Sequence, residues 1–239
     1  KALVERQWGD WKPASVATVN ATPAKPMTAT ARVIIVDKPD SPQTELRIGR
    51  IGTVRTTPDF AALQVLNEAF GGAYTSRLNL DLREDKGYTY GVASRFNYGR
   101  MPAPFVIRTA VRSDVSAPAV KEVFSELKRV TASPLAADEL KRARGSLTQS
   151  LPGLFETNEA TVGSFGDLFA YGLPLDYYRK LPAEFNAVRA PTLEALARRY
   201  LDPSGMVVIA VGDRKNLEGT LQPLGLGPLE VWPITGTLF

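Results

Sequence analysis

The sequence predicts an α+β fold: a mainly antiparallel or mixed sheet covered by helices, with two related halves sharing that sheet. Three observations lead there. Strand-sized apolar or alternating runs arrive in pairs early in the chain. Longer segments repeat apolar residues at helical spacing. The strict strand–helix alternation of a doubly wound parallel sheet is absent, which argues against a dinucleotide-binding domain. The 239 residues are 44% hydrophobic and 23% charged, so a large core is within reach and disorder is not the default.

ALVERQWGDWKPA starts helix-like without a cap, and residues 1–12 read as the end of a preceding N-terminal domain. Residues 13–28, PASVATVNATPAKPMT, hold few large apolar groups and read as an extended linker. Residues 29–239 form the domain proper, with halves at roughly 30–112 and 113–239. ATARVIIVDKPD is an apolar strand stopped by Pro39; TELRIGRIGTV alternates, with Leu46 and Ile48 against Arg47 and Gly49. Pro58 and Asp59 open a helix with Phe60, Leu63, Leu66 and Phe70 on one stripe, and Gly71-Gly72 closes it. A short helix over about 75–83 precedes two strands, YTYGVASRFNYG and APFVIRTAVR. Val120, Val123, Phe124, Leu127 and Val130 stripe a helix that begins near Ala117. Further helical segments lie near 136–151, 156–171, 174–188 and 192–201; GMVVIAVGD is a late buried strand, and the Gly/Pro-rich tail holds no long element.

The chain has no histidine and no cysteine. That removes Ser-His-Asp and Cys-His catalysis, thiol redox chemistry and the histidine zinc motifs. A zinc site of carboxylates alone runs against the metal's preference for nitrogen and sulfur donors, so no metal ligand is expected here. The net charge of +4 is spread among interspersed acids and bases. This favours an ordinary mixed surface over a nucleic-acid partner, although a basic anion- or nucleic-acid-binding domain stands as a reading of a different class. No apolar run approaches the roughly 20 residues of a membrane helix, and KALVERQWGDWKPAS has no apolar signal-peptide region.

One stretch concentrates polar chemistry: GGAYTSRLNLDLREDKGYTYGVASRF, residues 71–96. Gly71-Gly72 lacks the Lys-Ser/Thr of a phosphate loop and comes after a helix, so a helix stop that allows positive φ is the simpler reading. Ser76 has no histidine base to activate it and suits a helix N-cap. Glu68, Glu84 and Asp85 show no sign of the unlike environments that a working acid pair needs. Trp8 and Trp11 suit packing against a neighbouring domain. Arg83 at a helix end and Tyr90 near a strand start, joined through Gly87, can converge as donors on a carbonyl or oxyanion.

LREDKGYTYGVAS resembles the C-terminal-domain signature of the pitrilysin/insulysin (inverzincin) zinc metallopeptidases, including bacterial relatives of mitochondrial processing peptidase. Leu82-Arg83-Glu84, Gly87 and Tyr90 keep that family's order and spacing, GGAYTSRL is similar to its Gly-rich segment running into Ser76-Arg77-Leu78, and WGDWK is similar to the end of its N-terminal domain. The resemblance implies the non-zinc half of a two-domain peptidase, inactive alone. Zinc would sit on a partner H-x-x-E-H domain, in the same polypeptide or a separate subunit, with a peptide as substrate. It implies catalytic roles for Arg83 and Tyr90 on the scissile carbonyl, substrate binding by Arg83, Tyr90, Gly71, Gly72 and Ser76, and a wall or packing role for Tyr88. Family habit favours a bacterial periplasm or envelope over the cytoplasm. The family also contains non-catalytic members that scaffold or bind peptides.

Overall fold

The structure is a computed structural model and describes residues 1–12 and 30–235. The expected linker, 13–28, therefore lies outside the described residues. Helix α1 (Ala2–Trp8) buries no residue, and Trp8 and Trp11 are both exposed.

Among the described residues, six strands form one mixed sheet. They are β1 (Arg32–Asp37), β2 (Gln43–Ile51), β3 (Val92–Phe96), β4 (Pro104–Arg112), β5 (Val207–Gly212) and β6 (Leu229–Pro233), in spatial order β3-β4-β2-β5-β1-β6. β1 is parallel to β5 and β6, whereas β2 is antiparallel to β4 and β5, and β3 to β4. The two halves share the sheet unequally, since residues 30–112 supply β1 to β4 and the remainder supplies β5 and β6. β6 falls in the tail expected to hold no long element. It pairs with β1 from Val33↔Leu229 to Asp37↔Pro233, so a sheet edge rather than local propensity makes it a strand.

The period-two pattern sets the layers. Thr44, Leu46 and Ile48 of β2 and Phe105, Ile107, Thr109 and Val111 of β4 are buried, while Glu45, Arg47, Arg108 and Arg112 point the other way. Helices cover the buried face. They are α2 (Phe60–Asn67), the short α3 (Arg77–Asn79), α4 (Ser116–Ala132), α5 (Ala137–Ser150), α6 (Asn158–Tyr171), α7 (Tyr177–Ala187), α8 (Ala190–Tyr200) and α9 (Arg214–Leu221). The stripe expected on α4 is buried as one cluster with the sheet's inner side chains. Each such side chain contributes about 1.5–3 kcal/mol relative to exposure. α9 is a helix beyond those expected, yet its local signals are present: Asp213 accepts from the Lys215 N–H at 2.9 Å, and Leu217 and Leu221 are buried one turn apart.

Two wide helical turns break the expected regularity. Glu68–Gly72 and Leu80–Asp85 are both π-helical. Gly71-Gly72 thus lies inside a widened turn, and neither glycine has positive φ. Gly71 is required by a close approach instead: a Cβ there would meet Ser94 Oγ at 2.4 Å.

Candidate functional site

The turn carrying Arg83 is fixed before its chemistry is considered. Gly87 adopts a left-handed φ of 62°, the Gly87 N–H donates to Arg83 O at 3.2 Å, and the Tyr88 N–H donates to Leu82 O at 2.9 Å. Leu82 is fully buried and anchors the segment. Asn79 ties it to the sheet edge. Its amide donates to Val92 O at 2.7 Å and accepts from the Val92 N–H at 3.1 Å, so it acts as a surrogate strand against β3. Asn67, at the end of α2, also holds β3, donating to Ser94 O at 3.1 Å and accepting from Ser94 Oγ at 2.8 Å.

Tyr90 is held by its neighbours. The Thr89 hydroxyl donates to Ala110 O at 2.8 Å, and the Thr109 hydroxyl donates to Thr89 Oγ1 at 2.9 Å. The backbone on the N-terminal side of Tyr90 is thereby clamped to β4 while its own side chain projects outward. Tyr90 is 94% exposed and makes no hydrogen bond among the described residues. Arg83 is less open. Its side chain keeps 29% of its surface, its Nη1 lies 3.3 Å from Glu84 Oε1, and its guanidinium stacks over the Tyr74 ring at 4.1 Å. The Nη1 atom is buried without a well-directed hydrogen bond. Arg83 and Tyr90 line one open concavity of about 380 Å³, together with Gln43, Tyr88 and Arg112. Tyr88 packs partly against the core, as a wall residue does.

A second open concavity, of about 520 Å³, adjoins the first at Ala110 and runs over the uncovered face past Arg47, Arg108, Tyr74 and Gly72. Gly72 is exposed there. Gly71 and Ser76 do not join this surface. Both are buried, and Ser76 sits at the N-cap position of α3 without capping it, its Oγ accepting instead from Asn79 Nδ2 at 3.3 Å. Glu68 lies apart from the acids of the turn: it accepts from Ser146 Oγ at 2.6 Å, whereas Glu84 pairs with Arg83.

The neighbouring arginine has a different role. Arg77 is buried and donates from Nε and Nη2 to the two oxygens of Glu139 at 2.6 and 2.7 Å. Glu139 also accepts from the Ala136 N–H at 2.8 Å, capping α5. The hydrogen bonds from Arg77 hold the Glu139 carboxyl below the usual carboxylate range. Beside this pair Glu126 is buried, and burial pushes its carboxyl up despite Arg129 at 3.0 Å. Neither the stacking of Tyr74 on Arg83 nor the Arg77–Glu139 lock has a signature in periodicity, because each joins segments through an irregular connection.

The donor set does not fit zinc. The sequence has no histidine or cysteine, and among the described residues no three Asp or Glu side chains gather into a metal site.

The structure is a mixed sheet covered by helices on one face, with Arg83 and Tyr90 on its margin and, among the described residues, no cluster of side chains that could hold a metal. The comparisons make the assignment specific: residues 1–147 match the family model for the peptidase M16 inactive domain, and the chain belongs to that family. It is 28% identical over 166 residues to an uncharacterized zinc protease of Streptomyces coelicolor, covering 70% of this chain and 36% of that protein. A crystal structure of a peptidase M16 inactive domain from Pseudomonas fluorescens superposes with a TM-score of 0.71 at 28% identity, over 77% of this chain and 44% of that one. A protease from Helicobacter pylori gives a TM-score of 0.79 at 17% identity, over 88% of this chain and 51% of that one, a likeness of fold. The chain thus spans about half or less of each of these relatives. Among the described residues no helix is long and apolar enough to cross a membrane.

Proposed function

We propose that this domain is the substrate-holding, catalysis-assisting half of a zinc metallopeptidase, inactive alone, whose Arg83 and Tyr90 grip the scissile carbonyl of a peptide bound between it and a zinc-bearing H-x-x-E-H domain. The observation that carries the reading is the underuse of the pair. Tyr90 is 94% exposed with a phenol that bonds to nothing among the described residues, on the rim of a concavity that Arg83 also lines. A donor held out on a clamped backbone is preorganised for an acceptor that arrives from elsewhere. Arg83, stacked on Tyr74, keeps its guanidinium plane oriented and offers its remaining N–H groups to the ground-state peptide. Tyr90 donates to the oxygen as negative charge develops on it. The open sheet face past Gly72 and Arg108 provides a bed for the flanking peptide, with Gly71 and Ser76 supporting it from beneath.

Tyr90→Phe in the full-length protein, assayed on a peptide substrate, tests this. kcat should fall about 10²-fold with KM little changed, because the lost bond forms mainly in the transition state. An unchanged kcat sinks the catalytic role and leaves a peptide-binding or scaffolding domain, a reading that the family's description as inactive also fits. An envelope location belongs to the same proposal. One relative by fold, with a TM-score of 0.67 at 16% identity, is described as the periplasmic protease PqqL of Escherichia coli. Cell fractionation of the full-length protein decides it.

A further inference from the structure

A cavity of about 620 Å³ lies on the helical side and shares no lining residue with the Arg83/Tyr90 concavity. It is framed by the loop after β2, by α2, and by α7 with the segment that leads into it. Arg55 sits in its wall and is only 8% exposed. Its backbone is fixed by a bond from its N–H to Gly99 O at 2.9 Å, and its guanidinium is caged by rings: 3.7 Å from the Phe60 centroid, 5.0 Å from Tyr177 and 5.8 Å from Tyr171. One side-chain hydrogen bond is made among the described residues, from Nη2 to the Tyr177 hydroxyl at 3.0 Å. No carboxylate lies within ion-pair distance of it among those residues, in contrast to buried Arg77 with its two bonds to Glu139. The region also carries one unmet polar group. Tyr98, whose ring packs on Phe60 at 4.9 Å, has a buried hydroxyl without a hydrogen-bond partner.

We infer that this cavity is a binding site for a small organic carboxylate with an apolar body, its carboxylate on Arg55 and its body against Phe60, Leu173 and Val188. A guanidinium taken out of water without a counter-ion is costly, and aromatic faces replace only part of its hydration. An anion that accepts from the free N–H groups removes that cost, and Arg presents them in a fork that matches a carboxylate. The choice of a monoanion comes from Glu184, which lines the same cavity and disfavours a doubly charged phosphate. The need for an apolar body comes from the walls, which Phe60, Ala61, Leu173 and Val188 line with apolar surface.

Calorimetric titration of the full chain with phenylbutyrate, with neutral phenylbutyramide and with the tripeptide Ala-Ala-Phe tests the inference. Phenylbutyrate should bind saturably at one site, about tenfold or more tighter than the amide. Arg55→Gln should erase that preference. Ala187→Trp changes an exposed residue at the cavity wall and should block binding while leaving the thermal melt unchanged, so it carries the test even if Arg55→Gln fails to fold. A tripeptide that outcompetes phenylbutyrate identifies peptide carboxyl termini as the source of the ligand; the reverse identifies free acids. Equal binding of acid and amide, no saturable binding below roughly 10 mM, or unchanged binding in Ala187→Trp overturns the proposal. Because the two sites share no residue, Tyr90→Phe should leave this binding unaltered, and failure of one reading does not entail failure of the other.

Discussion

Arg77 and Arg83 stand on one short helical segment, yet they are used in opposite ways. Arg77 is turned inward, and both of its forked bonds go to Glu139. Arg83 lies on the rim, stacked on Tyr74 and beside Glu84, with no forked pair of bonds to a carboxylate, although each arginine has one buried nitrogen, Nη1, without a directed partner. The same side chain is a lock where a carboxylate takes a forked pair of its hydrogen bonds and an instrument where none does. The widened turn at Leu80–Asp85 begins between the two arginines: a π turn advances the chain by a different angle from an α turn and so re-aims the side chains it carries.

The largest expected effect is on the lock. Arg77→Met should cost about 3 kcal/mol in chemical denaturation, because it strands the Glu139 carboxylate against α5. Adding Glu139→Leu should recover part of that loss but not all, since the cap on the Ala136 N–H goes as well. A loss under about 0.5 kcal/mol for the single variant would show that the pair is not a lock.

Arg83→Met should give the reverse profile. Stability should stay within about 0.5 kcal/mol, while peptide hydrolysis by the full-length protein is damaged in both kcat and KM, together about 10²-fold in kcat/KM. Equal damage to stability and activity would erase the contrast between the two arginines.

Acid separates the two carboxylates beside Arg77. Glu139 has a lowered pKa, so it binds fewer protons folded than unfolded; its stabilisation is full above the ordinary carboxylate value and is lost as pH falls through the folded value. Glu126 has a raised pKa chiefly from burial, so its ionised form opposes folding, and that penalty fades as pH falls. Denaturation midpoints across mildly acidic pH should therefore show Glu139→Gln flattening the acid-side loss of stability and Glu126→Gln raising stability at neutral pH. If both variants shift the midpoint the same way, these directions are wrong.

The smallest effect belongs to Tyr74→Leu. The ring is 62% exposed and contributes its face to Arg83, a contact worth about 0.5–1 kcal/mol at an exposed site. KM should rise a few-fold with kcat and the thermal melt unchanged. A larger fall in kcat would give Tyr74 more than an orienting part.

Local sequence carried much of the outcome. The alternation in TELRIGRIGTV chose the buried face of β2, and the stripe from Val120 to Val130 chose the face of α4, because strands and helices each present one face at a fixed period. The absence of histidine and cysteine removed the nitrogen and sulfur donors that zinc prefers from this chain before any fold was known. The spacing from Arg83 to Tyr90 marked the rim pair, since a turn with Gly87 at positive φ brings a helix end back to a strand start. Tertiary structure alone decided what depends on partners distant in sequence. β6 is a strand because β1 offers an edge, Ser76 is buried because Asn79 and β3 fold over it, and Gly71 is small because Ser94 approaches from the sheet. It also decided which arginine is sealed and which is open. That choice rests on whether a carboxylate arrives from another helix, as Glu139 does for Arg77, and no local period encodes such an arrival.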